Sequence, residues 1–393
     1  MNATPSKASW LRRAAWGFWL ILFTIILGDV ARRPLMHTTM PTYRLASTQW
    51  WAGQDPYSFN AHAGFLYFPQ AAFLFTPFNL VPFAAGEILW RAATFGLFFY
   101  ALRRLSETFL TRGDALSGRT FLLLSLLAVP ASLASLRNAQ FDLPLAALLV
   151  LASMEIAAAR WTTATIWLCL GVALKPLAVV PLLLFSAIYP RQLIPRVVPG
   201  LLIVVALPFL HWNPAFVAHE YSRCFETLLW ASRGDEARYS DLAALLSHFG
   251  YDAPNGLKTV VRVLFALIYL GFGVASVRRL NRIEAAWIIG ALSADYLMLF
   301  NPRTETCSYV FLGPFVASLS LYDARQPGHN LLVWLLAFAS LGLACDAFPK
   351  IENFSINDLT DRWFKPLVAL LFLPILIRFI FEKRPPANNA AFP

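Results

Sequence analysis

The stretch ADYLMLFNPRTETCSYVFLGPFVASL, residues 294–319, places two long apolar runs on either side of a polar turn, NPRTE at 301–305. In a soluble protein an Arg and a Glu there would mark an ordinary surface turn. The chain around it is 58% hydrophobic, 15% aromatic and only 14% charged over 393 residues, with a mean hydropathy of +0.57. That is too apolar and too poor in charge for a soluble domain of this length. Apolar runs broken by short polar turns therefore read as an all-α integral membrane protein, one polytopic helical bundle over 1–393, with NPRTE at a membrane surface.

Working outward, spans are expected near 14–28, 86–102, 120–136, 141–158, 162–174, 176–189, 197–211, 259–277, 284–300, 307–322, 330–346 and 365–381, about twelve in all. Lys7, Arg12 and Arg13 precede AAWGFWLILFTIILG (14–28) as in a signal peptide. DVARRPL follows where a small-residue cleavage site would stand, so an uncleaved first helix is expected. An even number of spans puts both termini on one side. If that side is the cytoplasm, the inner segments hold Arg103, Arg104, Arg112, Arg119, Arg160, Arg191, Arg196, Arg278, Arg279, Arg282, Arg325, Lys383 and Arg384, as the positive-inside rule asks. The net charge of +10 is thus spent at helix ends and not along one stripe, which argues against a nucleic-acid partner. The long connections 29–85 and 212–258 then fall outside with most acids, including Asp235, Glu236 and Glu352.

The apolar segment FLYFPQAAFLFTPFNLVPF (65–83) is long enough to span, yet counting it would move 103–119 to the outside and lose the charge bias. It reads as an outer juxtamembrane or re-entrant segment, with a true second span as the alternative. An amphipathic helix is expected at 239–249. With this topology the polar outliers converge on the outer face: Asp29 at the end of the first span, RNAQFD (137–142), LKP (174–176) and NPRTE. A charge at membrane depth survives mainly in a cavity or beside an opposite charge, so one shared cavity explains all four. Cys224 and Cys307 both fall outside, where a disulfide is open to them. No HExxH, Walker loop, GxSxG or CxxC pattern occurs, and no cofactor or metal site is expected.

The stretches YRLASTQWWAGQDPYSFNAHAGFLYFPQAAFLFTPFNLVPFAAGEILW (43–90), NAQFDLPLAALLVLA (138–152) and ALKPLAVVPLLL (173–184) together resemble glycosyltransferase family 87. The resemblance implies the C-type glycosyltransferase (GT-C) fold in the inner membrane of a bacterium. It also implies transfer of a sugar, often mannose, from a polyprenyl-phosphate donor to a glycan or glycolipid acceptor on the outer, periplasmic side. Such a reaction needs a lipid-facing groove, a cation for the phosphate and a carboxylate to deprotonate the acceptor hydroxyl.

Arg303 can grip a phosphate bidentately and Lys175 can offer a point charge; alternatively Arg303 pairs with Glu305 and Lys175 snorkels. Members of the family place an Asp, taken as the base, seven residues before the Ala that matches Ala46. Here that position is Thr39, whose hydroxyl is no base near neutral pH. Asp29, Asp55 and Glu305 are candidate replacements. Glu305 is preferred, as the family's matching loop carries a different polar motif, although Asp55-Pro56 also reads as a turn. Gln140 matches a Gln common in the family and Asp142 stands where Asn is usual. With Asn138 they are candidate sugar ligands, or helix caps. Tyr57, His62 and Tyr67 would stack on a sugar or belong to an interfacial belt. A transporter or flippase of lipid-linked sugars, or a non-catalytic relative, is the alternative reading.

Overall fold

The computed structural model describes residues 7–33, 36, 38–57, 64–111, 117–232, 239–325, 330–347, 360 and 363–382. His62, Arg112, Asp235, Glu236, Glu352, Lys383 and Arg384 lie outside them. All regular structure among the described residues is helical. In chain order the helices are α1 (Lys7–Arg32), α2 (Met40–Trp51), α3 (Pro69–Leu74), α4 (Thr76–Asn79), α5 (Phe83–Leu105), α6 (Ser117–Ala128) and α7 (Leu133–Arg137). Then come α8 (Asp142–Ala157), α9 (Trp161–Leu174), α10 (Val179–Ile188), α11 (Pro190–Ala206), α12 (Pro214–Ala231) and α13 (Leu242–His248). The last are α14 (Asn255–Arg279), α15 (Arg282–Phe300), α16 (Gly313–Asp323), α17 (Asn330–Gly342) and α18 (Phe364–Phe381).

Burial is arranged as lipid requires. Every residue of α8 is buried, and α8 packs on α5, α9 and α15. The outer helices instead expose their apolar side chains, among them Leu20 at 67%, Leu202 at 65% and Trp334 at 73%. Such faces are stable only against hydrocarbon, where helices are held together by close packing, not by the hydrophobic effect. Gly290 shows this packing: a Cβ there would collide with Ser153 of α8 and Phe315 of α16.

Among the described residues five helices are long and apolar enough to cross a membrane, α1, α11, α14, α15 and α18, and a sixth if α6 and α7 are one span bent by 45°. Pro130, which cannot continue the hydrogen-bond ladder, sits at that bend. Helices also occupy the remaining predicted positions: α5 has 23 residues but carries Glu87 and Arg91 inside its apolar run, and others are shorter, with 16 residues in α8, 14 in α9 and 13 in α17. A count of twelve needs these to cross as well. Residues 65–83 form no continuous span. They break into the short helices α3 and α4, each opened by a Pro. Cys224 and Cys307 form no disulfide.

The ends of the bundle differ. At one, Arg104 of α5 and Arg160 both reach Glu155 of α8, at 3.2 and 3.4 Å, and Arg282 of α15 bonds the Ala157 carbonyl at 2.9 Å. At the other lie the 137–142 turn, Lys175 and NPRTE. The two long connections pack together there. Trp50, Tyr57 and Phe65 of the first join Val217 and Cys224 of α12 in a second apolar cluster. Arg223 pairs with Asp55 at 3.2 Å and Tyr221 donates to Gln70 at 3.1 Å. The expected amphipathic helix is α13, capped by Asp241, which accepts from the Ala244 amide. The longer α12, capped by Asn213, is not anticipated by the sequence reading.

Candidate functional site

Three breaks in the helical ladder build the site. Between α7 and α8, Ala139 adopts a left-handed backbone with φ of 55°, which an L-residue with a side chain rarely takes. The turn is held from outside. Trp90 donates to the Ala139 carbonyl at 2.8 Å, Arg91 to the Arg137 carbonyl at 2.8 Å, and the Thr39 amide to the Asn138 carbonyl at 3.0 Å. Between α9 and α10, Pro176 forces Lys175 into an extended conformation. After α15, Thr304 is fully buried and its hydroxyl donates to the carbonyls of Leu297 and Asn301, both at 3.0 Å. The Ser240 amide reaches the Thr304 carbonyl at 2.7 Å.

These breaks bring together residues far apart in sequence. Lys175 Nζ lies 2.5 Å from Asp142 Oδ1, and Ser308 donates to Asp142 Oδ2 at 2.8 Å. Gln140 Nε2 donates to Glu305 Oε2 at 2.9 Å, and the Cys307 thiol reaches the same oxygen at 3.3 Å. The Lys175 ammonium sits 5.9 Å from the centre of the Tyr67 ring, and the Tyr67 and Tyr43 hydroxyls are 3.2 Å apart. Burial pushes the Tyr67 hydroxyl above its ordinary range, and Asp142 and Glu305 add to this against the Tyr43 hydrogen bond. It stays protonated and available as a donor. Asp142 and Tyr43 are buried, Lys175 is half-buried and Glu305 is exposed. The side-chain oxygens of Asn138 and Gln140 are buried acceptors without a partner. Such atoms cost free energy unless something donates to them.

Other predicted site residues lie elsewhere. Asp29 is exposed near the end of α1, where its charge is felt by Arg91. Asp55 accepts from the Tyr57 amide at 2.7 Å, forming the turn, and pairs with Arg223. Tyr57 is buried behind Tyr67, donating to its carbonyl at 2.8 Å. The Arg303 guanidinium does not pair with Glu305. It lies 5.5 Å from the Trp230 ring and 5.2 Å from that of Tyr239. Among the described residues no group of His, Cys, Asp or Glu could hold a metal ion.

Sequence reasoning missed several members. Glu87 and Arg91 form a fully buried ion pair on α5, and Thr38 donates to Glu87 at 2.6 Å. Their spacing of four inside an apolar run was the available signal. Lys365, at the start of α18, is buried and donates to the Thr306 carbonyl at 2.8 Å. Ser308 and Tyr43 carried no signal beyond ordinary polar residues in apolar surroundings.

The site thus offers an exposed carboxylate steered by an amide, a cation beside two tyrosines, and two unmet acceptors. The family model of glycosyltransferase family 87 matches residues 65–302 of the chain. No curated protein matches it.

Proposed function

As the chain belongs to glycosyltransferase family 87, we propose that this membrane glycosyltransferase moves a hexosyl or pentosyl unit, mannosyl among them, from a polyprenyl-phosphate sugar to a glycan or lipid acceptor. On this reading the basic end of the bundle faces the cytoplasm, and the end carrying Glu305 and Lys175 faces outward. The shorter helices then cross with the longer ones to make about twelve spans.

The observation that carries the reading is the pair of buried, unpartnered acceptors on Asn138 and Gln140, beside Glu305 and Lys175. Sugar hydroxyls are the donors such acceptors lack. Glu305 is the base in this scheme. As the acceptor oxygen bonds to the anomeric carbon, its proton passes to the Glu305 carboxylate. The bond from that carbon to the phosphate oxygen breaks, and its electrons leave with the polyprenyl phosphate. Lys175 has three N–H donors and Asp142 engages one of them, so the others are assigned to the phosphate. Arg303, already against two aromatic rings, is assigned no part in that step.

The test is a transfer assay on the purified protein in lipid, with a panel of radiolabelled polyprenyl-phosphate sugars and membrane extract as acceptor. Label should pass into a new product with wild type, and Glu305→Gln should bind donor without transferring it. If no donor is bound or consumed, the proposal fails.

A further inference from the structure

A pocket lies at the opposite end of α5 from the candidate site. Its volume is 390 Å3, and its lining includes Arg12 and Trp16 of α1, Phe99 and Arg103 of α5, Ser106, and Glu107, whose carboxylate is held by Arg103. Residues 106–111, which follow α5, are wound as a π-helix. This π-helix packs against α6.

The lining has a definite chemical order. Arg12, Trp16 and Leu20 follow one another at intervals of four on one face of α1, and all are exposed. They run from cation through aromatic ring to aliphatic side chain, the order of a membrane interface. Trp16 packs on Phe99 with ring centres 4.6 Å apart. Arg103 spends its Nε on Glu107 at 2.8 Å, and its two terminal nitrogens remain for an anion. Arg12 has no ion pair or hydrogen bond among the described residues. Ser106, which lines the pocket, is 1% exposed, and its hydroxyl has no partner. A buried hydroxyl left unmet in a built pocket is a second, independent sign of a ligand.

We propose that this pocket binds the phosphate headgroup of an anionic phospholipid between Arg12 and Arg103, with the Ser106 hydroxyl donating to a phosphate oxygen and one acyl chain running down Trp16 and Leu20. A soluble phosphate would use the guanidinium groups and leave the aromatic wall facing nothing. A zwitterionic lipid would bring an ammonium toward two arginines.

The test uses the full chain, purified with little lipid, to which phosphatidylglycerol, phosphatidylcholine or inorganic phosphate is added. Retained lipid is read by native mass spectrometry, and the thermal midpoint alongside it. Phosphatidylglycerol should be retained in preference to phosphatidylcholine and raise the midpoint, while inorganic phosphate should do neither. The double variant Arg12→Ala/Arg103→Ala should weaken retention by about tenfold or more. Arg13→Ala removes the same kind of charge from the same helix end without touching the pocket, and should stay within about twofold of wild type. The corresponding double Lys variant should keep preference for the anionic lipid. Equal losses in Arg13→Ala and the double Ala variant would mean diffuse attraction and overturn the site. So would equal retention of phosphatidylcholine, or a matching effect from inorganic phosphate.

Discussion

Gln140 holds Glu305 by a 2.9 Å hydrogen bond, although the two residues lie 165 positions apart. The bond steers a carboxylate that is otherwise exposed. If Glu305 is the base, Glu305→Gln should lower turnover by about 10^2- to 10^4-fold with donor affinity kept. Gln140→Leu should cost less, since the carboxylate remains. Asp29→Asn should leave turnover near wild type, because Asp29 makes no bond to this cluster. Steady-state kinetics on the three variants separates these cases, and equal losses at Asp29 and Glu305 would reject the assignment.

Lys175 and Asp142 should respond unequally to neutral replacement. Lys175→Met leaves the carboxylate of Asp142, 1% exposed, with Ser308 alone, and an uncompensated buried charge costs about 3–5 kcal/mol. Asp142→Asn keeps hydrogen-bonding capacity toward both neighbours, and Lys175 at 24% exposure can still reach water. Thermal unfolding should therefore show the Lys variant clearly less stable than the Asn variant.

On α5, Arg91→Leu strands Glu87, which is 0% exposed, and should destabilise by about 3–5 kcal/mol. The double variant Glu87→Leu/Arg91→Leu removes both charges and should be less damaging than Arg91→Leu alone. A double-mutant cycle by thermal unfolding in lipid measures the difference. Additive losses would mean that the two side chains stabilise the helix independently.

Glu220, on α12, gives the two packed connections a dependence on pH. Burial pushes its carboxyl up to about 7, with Asp55 adding to this against the His219 hydrogen bond at 3.0 Å. Arg223 faces Asp55 in the same group. Unfolded, the carboxyl titrates near 4.5, so between these values the folded chain binds more protons than the unfolded one. Stability is then greatest below the unfolded value, falls as pH rises through about 7 and levels off above it. Glu220→Gln should flatten that fall in a series of thermal midpoints; an unchanged slope would place its source elsewhere.

Ala139 tests the turn that aims Gln140 and Asp142. Its φ of 55° costs an Ala about 1–2 kcal/mol relative to ordinary helical backbone. Ala139→Gly should be neutral or slightly stabilising and keep activity. Ala139→Val, with a branched side chain at a buried left-handed position, should lower both.

Much of the architecture was legible because lipid imposes a coarse code. Runs such as 284–300 and 365–381 became α15 and α18 within a few residues. Charge bias kept 65–83 from being taken as a span, and its prolines break it into two short helices. Helix α12 was harder to see, because its buried residues, Val217, Glu220, Cys224 and Ala231, include a carboxylate. In the site, the breaks RNAQFD, LKP and NPRTE announced themselves as polar interruptions. Their pairing did not. Arg303 and Glu305 are near in sequence yet take different partners, because buried Thr304 fixes the turn between them.

The clasp between Asp55 and Arg223 joins residues 168 positions apart. A ribosome therefore delivers the first half of that clasp long before the second. Until α12 has been made, Trp50, Tyr57 and Phe65 lack the helix that covers them in the finished protein. The part of the chain synthesised early thus reaches its final shape late, and truncation before α12 should yield a product that inserts but is readily clipped by protease in its first long connection.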